Sequence, residues 1–284
     1  MASGTTNMKL GIIAGGGALP GLLASACADS DRASYILALT GFAEEKRMPR
    51  PPDAWVQLGE VGKGLQILRQ AGVKDVVMAG SVVRPPLRNM KTDIKGAALL
   101  ARVVGRTFGD DRILTAVIAE IESEGFRVVG IDSILKTLLA EAGPLGSHLP
   151  DPVAAQDIVR GFEVARSLGA ADVGQAVVVQ EGIVLGVEAA EGTDALLARC
   201  FDLRQAGLGG VLIKAKKPQQ ERRADLPTIG VDTIKNAHAA GLRGIAIEAG
   251  HALIIDKSSV SALADDLGIF VVGHTDCNSE VGIG

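Results

Sequence analysis

A chain of 284 residues with a formal net charge of −4, 47% hydrophobic and 3% aromatic, is long enough for two domains with separate cores. The acidic balance lacks the basic surplus of a general nucleic-acid binder, and so few aromatics leave little for a base-stacking platform. Cys27, Cys200 and Cys277 are scattered and make no disulfide framework, and His148, His238, His251 and His274 lack zinc-site spacing, so a catalytic metal should be a hard ion held by carboxylates, Mg²⁺ or Mn²⁺.

Residues Met1–Asn7 lack the basic and apolar regions of a secretion signal. No apolar run reaches the roughly 20 residues needed to span a bilayer. A cytoplasmic protein that meets lipid only at a surface is expected. From Lys9, short apolar runs at Lys9–Ala14, Tyr35–Leu39, Trp55–Leu58, Asp75–Ala79 and Phe126–Ile131 alternate with helical stretches at Leu19–Ala28, Gly64–Gln70 and Ser133–Ala142. Leu114, Val117, Ile118 and Ile121 recur at i, i+3, i+4 and i+7, one face of a further helix. Strand–helix alternation implies parallel βαβ units, so residues 1–142 read as a Rossmann-like domain.

The segment Gly143–Pro152 is rich in Gly and Pro and reads as a linker at 143–152. Residues 153–284 read as a mixed α/β domain. It contains a helix over Asp157–Leu168, a hairpin over Gln175–Glu188 turning at Glu181-Gly182, and a helix over Thr193–Gln205. The strand Gly210–Lys214, a long polar loop, a helix over Val231–Ala240, strands at Gly244–Glu248 and Ala252–Ile255, a helix over Ser258–Leu267 and a closing strand at Ile269–Val272 complete it.

Four regions can carry chemistry. Gly15, Gly16 and Gly17 follow the first strand and precede a helix, where bare N–H groups accept a phosphate; a tight packing turn accounts for the same residues. No acid ends the second strand, so the dinucleotide fingerprint is incomplete. Gly80 and Ser81 follow a further strand, and both turns should lie together at the carboxyl ends of the sheet. Asp110 and Asp111 open a helix and offer carboxylates for a metal or sugar hydroxyl, although capping explains them when taken alone. Glu188, Glu191 and Asp194 crowd around Gly192, with Thr193 read as the helix N-cap. The loop KAKKPQQERRADLPTIG, Lys214–Gly230, mixes Lys214, Lys216, Lys217, Arg222 and Arg223 with Glu221 and Asp225. Cations to neutralise phosphates beside a carboxylate to bind metal or place water are what pyrophosphate hydrolysis requires. The loop is also long for an ordinary connection.

IIAGGGALP, AGSVVRP, FGDDRIL, VLGVEAAEGTDALLAR, KKPQQERRADLPTIG and LRGIAIEAG occur in that order. In these motifs the chain resembles the LpxI-type UDP-2,3-diacylglucosamine pyrophosphatases of lipid A biosynthesis. The resemblance implies a Mg²⁺-dependent hydrolase that yields UMP and 2,3-diacylglucosamine 1-phosphate. It implies a cytoplasmic protein peripheral to the inner membrane, a homodimer, and a lipid-linked sugar nucleotide as substrate, with no nucleic-acid partner. It further implies Asp225, Lys214 and Lys217 as catalytic residues. Gly15, Gly16, Gly17, Gly80, Ser81, Asp110, Thr193, Asp194 and Arg223 would bind substrate, and Asp225, Glu191 and Asp111 the metal. One departure is Gln219-Gln220-Glu221 after Pro218, where the family pattern has Gly-Gln-Asp; the loop's charge is kept. Two rival readings are an NAD-dependent Rossmann oxidoreductase and a non-enzymatic sugar-nucleotide binding protein.

Overall fold

The computed structural model describes residues 8–82, 90–104 and 110–275. Arg84, Phe108, Gly109, Cys277 and the side chains of Asp110 and Asp111 lie outside this description. Two compact units are distinguished. The first runs to Lys136 and takes in Glu221–Ala224; the second starts at Thr137, runs to Gln220 and resumes at Asp225.

In the first unit the order is β1 (Leu10–Ala14), α1 (Leu19–Asp29), β2 (Ser34–Leu39), β3 (Ala54–Val56), α2 (Val61–Gln70), β4 (Asp75–Ala79), α3 (Ile94–Val104), α4 (Asp110–Ser123), β5 (Arg127–Val128) and α5 (Ile131–Ile134). The strands form one sheet in the order β3-β2-β1-β4-β5 with every pairing parallel. This is the Rossmann-like arrangement. β1 and β4 are near-continuous apolar runs because both faces of a parallel sheet are covered. Ile118 and Ile121 of α4 pack with Leu37, Leu65, Leu68 and Val76, so the helical stripe faces the sheet. The buried Asp75 opens β4 and accepts from Arg127 Nε at 2.8 Å and Nη2 at 2.9 Å, and from Arg32 Nη2 at 2.6 Å. Burying that carboxylate requires such pairing.

Two expectations here are corrected. The strand expected over Phe126–Ile131 is only Arg127–Val128, and the helix expected over Ser133–Ala142 is α5 followed by a 3₁₀ turn, Lys136–Leu138. The Ser133 hydroxyl donates to Gly130 O at 2.7 Å, and the Ala140 N–H goes to Ala252 O at 2.9 Å, not to a helical carbonyl. α3 is an element that the apolar pattern does not announce.

The second unit contains β6 (Gly143–Pro144), α6 (Pro152–Ala170), β7 (Ala176–Gln180), β8 (Ile183–Val187), α7 (Thr193–Leu203), β9 (Val211–Lys214), β10 (Thr228–Ile229), α8 (Val231–Ala239), β11 (Gly244–Glu248), β12 (Leu253–Ile254), α9 (Lys257–Asp266) and β13 (Phe270–His274). Its main sheet has the order β6-β13-β11-β9-β7-β8. β9, β11 and β13 are parallel, while β6, β7 and β8 run antiparallel to their neighbours. β10 and β12 form a separate parallel pair.

The 143–152 segment supplies β6, bonded to β13, and the cap of α6: Asp151 accepts from Ala154 N at 2.8 Å with Pro152 behind it. α6 therefore starts at Pro152, ahead of the expected Asp157. Asp157 is instead buried and receives the N–H groups of Glu181 and Gly182 at 3.0 and 2.7 Å. That fixes the hairpin turn, where both residues have positive φ. Ala154, Ile158 and Phe162 of α6 cover one sheet face, and Leu196, Leu197 and Cys200 of α7 cover the other. Each such large apolar side chain contributes about 1.5–3 kcal/mol on burial. Among the described residues no helix is long and apolar enough to cross a membrane.

Candidate active site

Sheet register gathers a charged group at one rim of the second unit. Lys214 is the last residue of β9 and pairs with Ala176, the first of antiparallel β7. Val177 pairs with Val187, so β8 ends at the same rim and delivers Glu188 there. The Glu188 N–H bonds Ala176 O at 2.8 Å, and the Ala215 N–H bonds Gln175 O at 3.0 Å. This is the carboxyl end of the parallel strands, the usual place for a ligand in an open α/β sheet. The loop after β9 then folds back over it and returns with Asp225.

The polar groups are tied together. Glu188 is buried, accepting from the Thr193 hydroxyl at 2.6 Å and from Gln175 N at 3.1 Å. Buried Gln220 accepts from Lys217 N at 3.0 Å and donates to Gln175 Oε1 at 3.2 Å and to Asp225 Oδ2. Lys217 Nζ donates to Asp172 at 2.7 Å, and Lys214 Nζ to Thr228 O at 3.1 Å. Two further bonds fix the loop's path. Lys216 N–H goes to Glu248 Oε2 at 2.9 Å, and Gln219 Nε2 to Gly169 O at 2.6 Å at the end of α6.

Burial pushes the Asp225 carboxyl above its ordinary value, against the Gln220 hydrogen bond and the attraction of Lys217 and Lys214, with Glu188 adding to the rise. Burial pushes the Lys214 ammonium below its ordinary value, while Glu188, Asp225 and Asp194 pull it back. Three carboxylates thus act through their charge on one buried lysine. Among the described residues no three His, Cys, Asp or Glu side chains converge as a metal cage. Mg²⁺, however, commonly takes only one or two carboxylates, with waters and substrate phosphates completing its shell. Asp225 and Glu188, close enough to repel and sharing Lys214, fit that donor set.

The glycine turns of the first unit do lie together, as expected, but their amides are engaged. Gly15 N–H bonds Ala79 O at 2.8 Å, Gly16 N–H bonds Ser81 O at 2.9 Å, and Ser81 N–H returns to Gly16 O at 3.0 Å. Gly80 has φ +93°, and a Cβ there would sit 2.3 Å from Gly16 O; one on Gly15 would sit 2.8 Å from Ser81 O. Close approach of two backbones is what these glycines provide.

Comparison with known proteins bears on what such a rim does. Residues 9–138 match the model of the LpxI N-terminal domain and residues 141–272 that of the LpxI C-terminal domain. The chain belongs to the LpxI family. A relative from Caulobacter vibrioides, UDP-2,3-diacylglucosamine pyrophosphatase LpxI, is 46% identical over 272 residues, covering 93% of this chain and 97% of its own. Among solved structures, CobK precorrin-6A reductase is 14% identical, with coverage of 94% of this chain and 88% of that one, but at a TM-score of 0.32. Glycinamide-RNase-transformylase T from Mycobacterium tuberculosis, 12% identical, covers 64% and 44% at a TM-score of 0.21. Neither likeness carries an argument.

The LpxI motif residues divide by environment. Asp225, Lys214, Lys217 and Thr193 gather at the rim; Asp194 is exposed in the first turn of α7, accepts from Asn236 Nδ2 at 2.9 Å and acts on Lys214 through its charge. Thr193 is not the cap of α7, however. Gly192, at φ 81°, is the N-cap, and the threonine hydroxyl serves Glu188. Glu191 lies on the surface, its carboxyl held low by its own backbone N–H and by Arg199 Nη2 at 2.9 Å. Arg223 sits in the first unit, donating to both oxygens of Glu221 (3.0 and 2.9 Å) and to Glu122 at 2.7 Å. Those bonds hold its guanidinium charged. Glu188, named in sequence only as one of the acids around Gly192, is joined at the rim by Gln175 and Gln220, to which the sequence pattern assigns no role. The available signal is polar residues bordering fully apolar strand ends.

Proposed function

We propose that this chain hydrolyses the pyrophosphate bond of UDP-2,3-diacylglucosamine, releasing UMP and 2,3-diacylglucosamine 1-phosphate for lipid A biosynthesis. The observation that carries the reading is Asp225, a carboxylate oriented by Gln220, its basicity raised by its surroundings and its charge attracted by two buried lysines, Lys214 and Lys217. Family membership and the activity named for the Caulobacter relative support the substrate.

Lys214 and Lys217 neutralise the two phosphates and lower the barrier as charge builds on the departing one. Gln220 holds Asp225 Oδ2, and the carboxylate orients the water and draws off its proton as oxygen bonds to phosphorus and the P–O–P bridge breaks. A carboxyl with a raised pKa takes that proton more readily than an ordinary one. Thr193 fixes Glu188 so that its charge offsets Lys214 in the resting site. Asp225 and Glu188 would hold Mg²⁺, which would supply positive charge at the phosphate oxygens. Mg²⁺ dependence, a homodimer and contact with the cytoplasmic face of the inner membrane belong to the same reading, on the strength of the family resemblance.

The test is UMP release from purified protein and UDP-2,3-diacylglucosamine with Mg²⁺ and with EDTA. Turnover abolished by EDTA and restored by Mg²⁺ is expected. Binding without turnover under both conditions would replace the hydrolase with a sugar-nucleotide binding protein.

A further inference from the structure

The second unit contains two buried glutamines that use their amides differently. Gln180 bonds backbone alone: Nε2 donates to Gln205 O and Leu208 O at 3.0 and 2.7 Å, and Oε1 accepts from Gln205 N at 3.0 Å. It is a brace for the loop after α7. Gln220, only 5% exposed, bonds one backbone group and two side chains. Because Lys217 N–H can only donate, it dictates that Oε1 faces it, and the NH₂ must then point at Gln175 Oε1 and Asp225 Oδ2. Gln175 is itself immobilised at the head of β7, its N–H on Glu188 and its C=O on Ala215. A rigid chain of bonds therefore leads from the sheet rim to one oxygen of the Asp225 carboxylate.

We infer that Gln220 is the positioning residue for Asp225, setting the rotation of its carboxylate toward the scissile pyrophosphate, with Gln175 as the anchor. The inference rests on the hydrolase reading of Asp225. Its logic is that a reacting group on a loop must be fixed by neighbours whose own rotamers are locked. A displacement of about 1 Å can cost on the order of 10²-fold in rate.

Gln220→Glu keeps the acceptor for Lys217 N–H but cannot donate to Asp225; Gln220→Met removes both bonds without adding charge. Both should lower kcat by about 10²-fold with KM near wild type, the signature of an interaction needed at the transition state. Gln175→Leu, which loosens the anchor and leaves Gln220 in place, should lower kcat less. Gln180→Met should lower the melting temperature with no kcat-specific loss. Wild-type kcat in a folded Gln220 variant overturns the inference. So does a loss in which activity falls only in step with the folded fraction, which would make Gln220 a brace like Gln180. Wild-type protein that releases no UMP fails the hydrolase reading instead, and this one falls with it.

Discussion

In sequence, the glycine turns near the N-terminus and the charged loop before α8 both read as candidate ligand sites, the loop the more specific of the two, and the fold builds them in opposite ways. In the turns, Gly16 and Ser81 bond each other's backbone and Gly15 N–H bonds Ala79 O, so these amides serve the close approach of two chain segments. At the charged rim, Asp225 and Lys214 are both driven by burial toward their neutral forms, an arrangement that costs stability and is characteristic of reacting sites. Glycine beside a helix start is ambiguous because close packing and phosphate binding demand the same residue; a carboxylate and an ammonium both driven toward neutrality by their surroundings are far less so.

The largest effect that would break this contrast is at Asp225. Asp225→Asn should lower kcat by about 10²–10⁴-fold. Its stability effect has a definite sign. A carboxyl whose folded pKa is raised contributes stability fully present below the unfolded pKa and lost as pH rises through the folded value. At neutral pH the asparagine variant should therefore melt at or above wild type, checked by calorimetry. Lys214→Met should lower kcat by about 10²–10³-fold and also lower the melting temperature, since Glu188 and Asp225 are left facing each other without their shared cation.

Gly80→Ala sharpens the comparison from the other side. With φ at +93° and Gly16 O in the way, the substitution should cost about 1–3 kcal/mol of stability, read by denaturant melts, with kcat per folded molecule retained. A kcat loss without destabilisation would place substrate on the turn. Glu191→Gln should do least. Its carboxylate is exposed and paired with Arg199, and such pairs contribute little, so turnover and melting should stay at wild-type values. A marked rise in the Mg²⁺ needed for half-maximal rate would restore Glu191 as a ligand.

Much of this architecture is legible in local pattern. Apolar runs such as Leu10–Ala14, Asp75–Ala79 and Ala176–Gln180 are buried on both faces and announce themselves, as does the Glu181-Gly182 turn. α6 reads short in sequence because its cap, Asp151, lies in a Gly- and Pro-rich stretch that resembles a linker, and only the bond to Ala154 N reveals the helix start. At the site, Asp225, Lys214 and Lys217 are legible as charge on an over-long loop. The bonds of Glu188 and Gln220 are not, because they come from register and return: β8 must pair with β7 before Glu188 reaches Gln175 N, and the loop must fold back before Gln220 bonds Asp225. The pairing of Arg223 is illegible for the same reason, since its partner Glu122 lies 101 positions away.

The most direct measurement is kcat for UMP release, with melting temperature, on Asp225→Asn and Gly80→Ala side by side in Mg²⁺. Loss of turnover with melting preserved in Asp225→Asn, and loss of stability with turnover per folded molecule preserved in Gly80→Ala, is the predicted result. An Asp225→Asn variant that turns over like wild type, or a stable Gly80→Ala variant that does not, would contradict the assignment of the reaction to the charged rim.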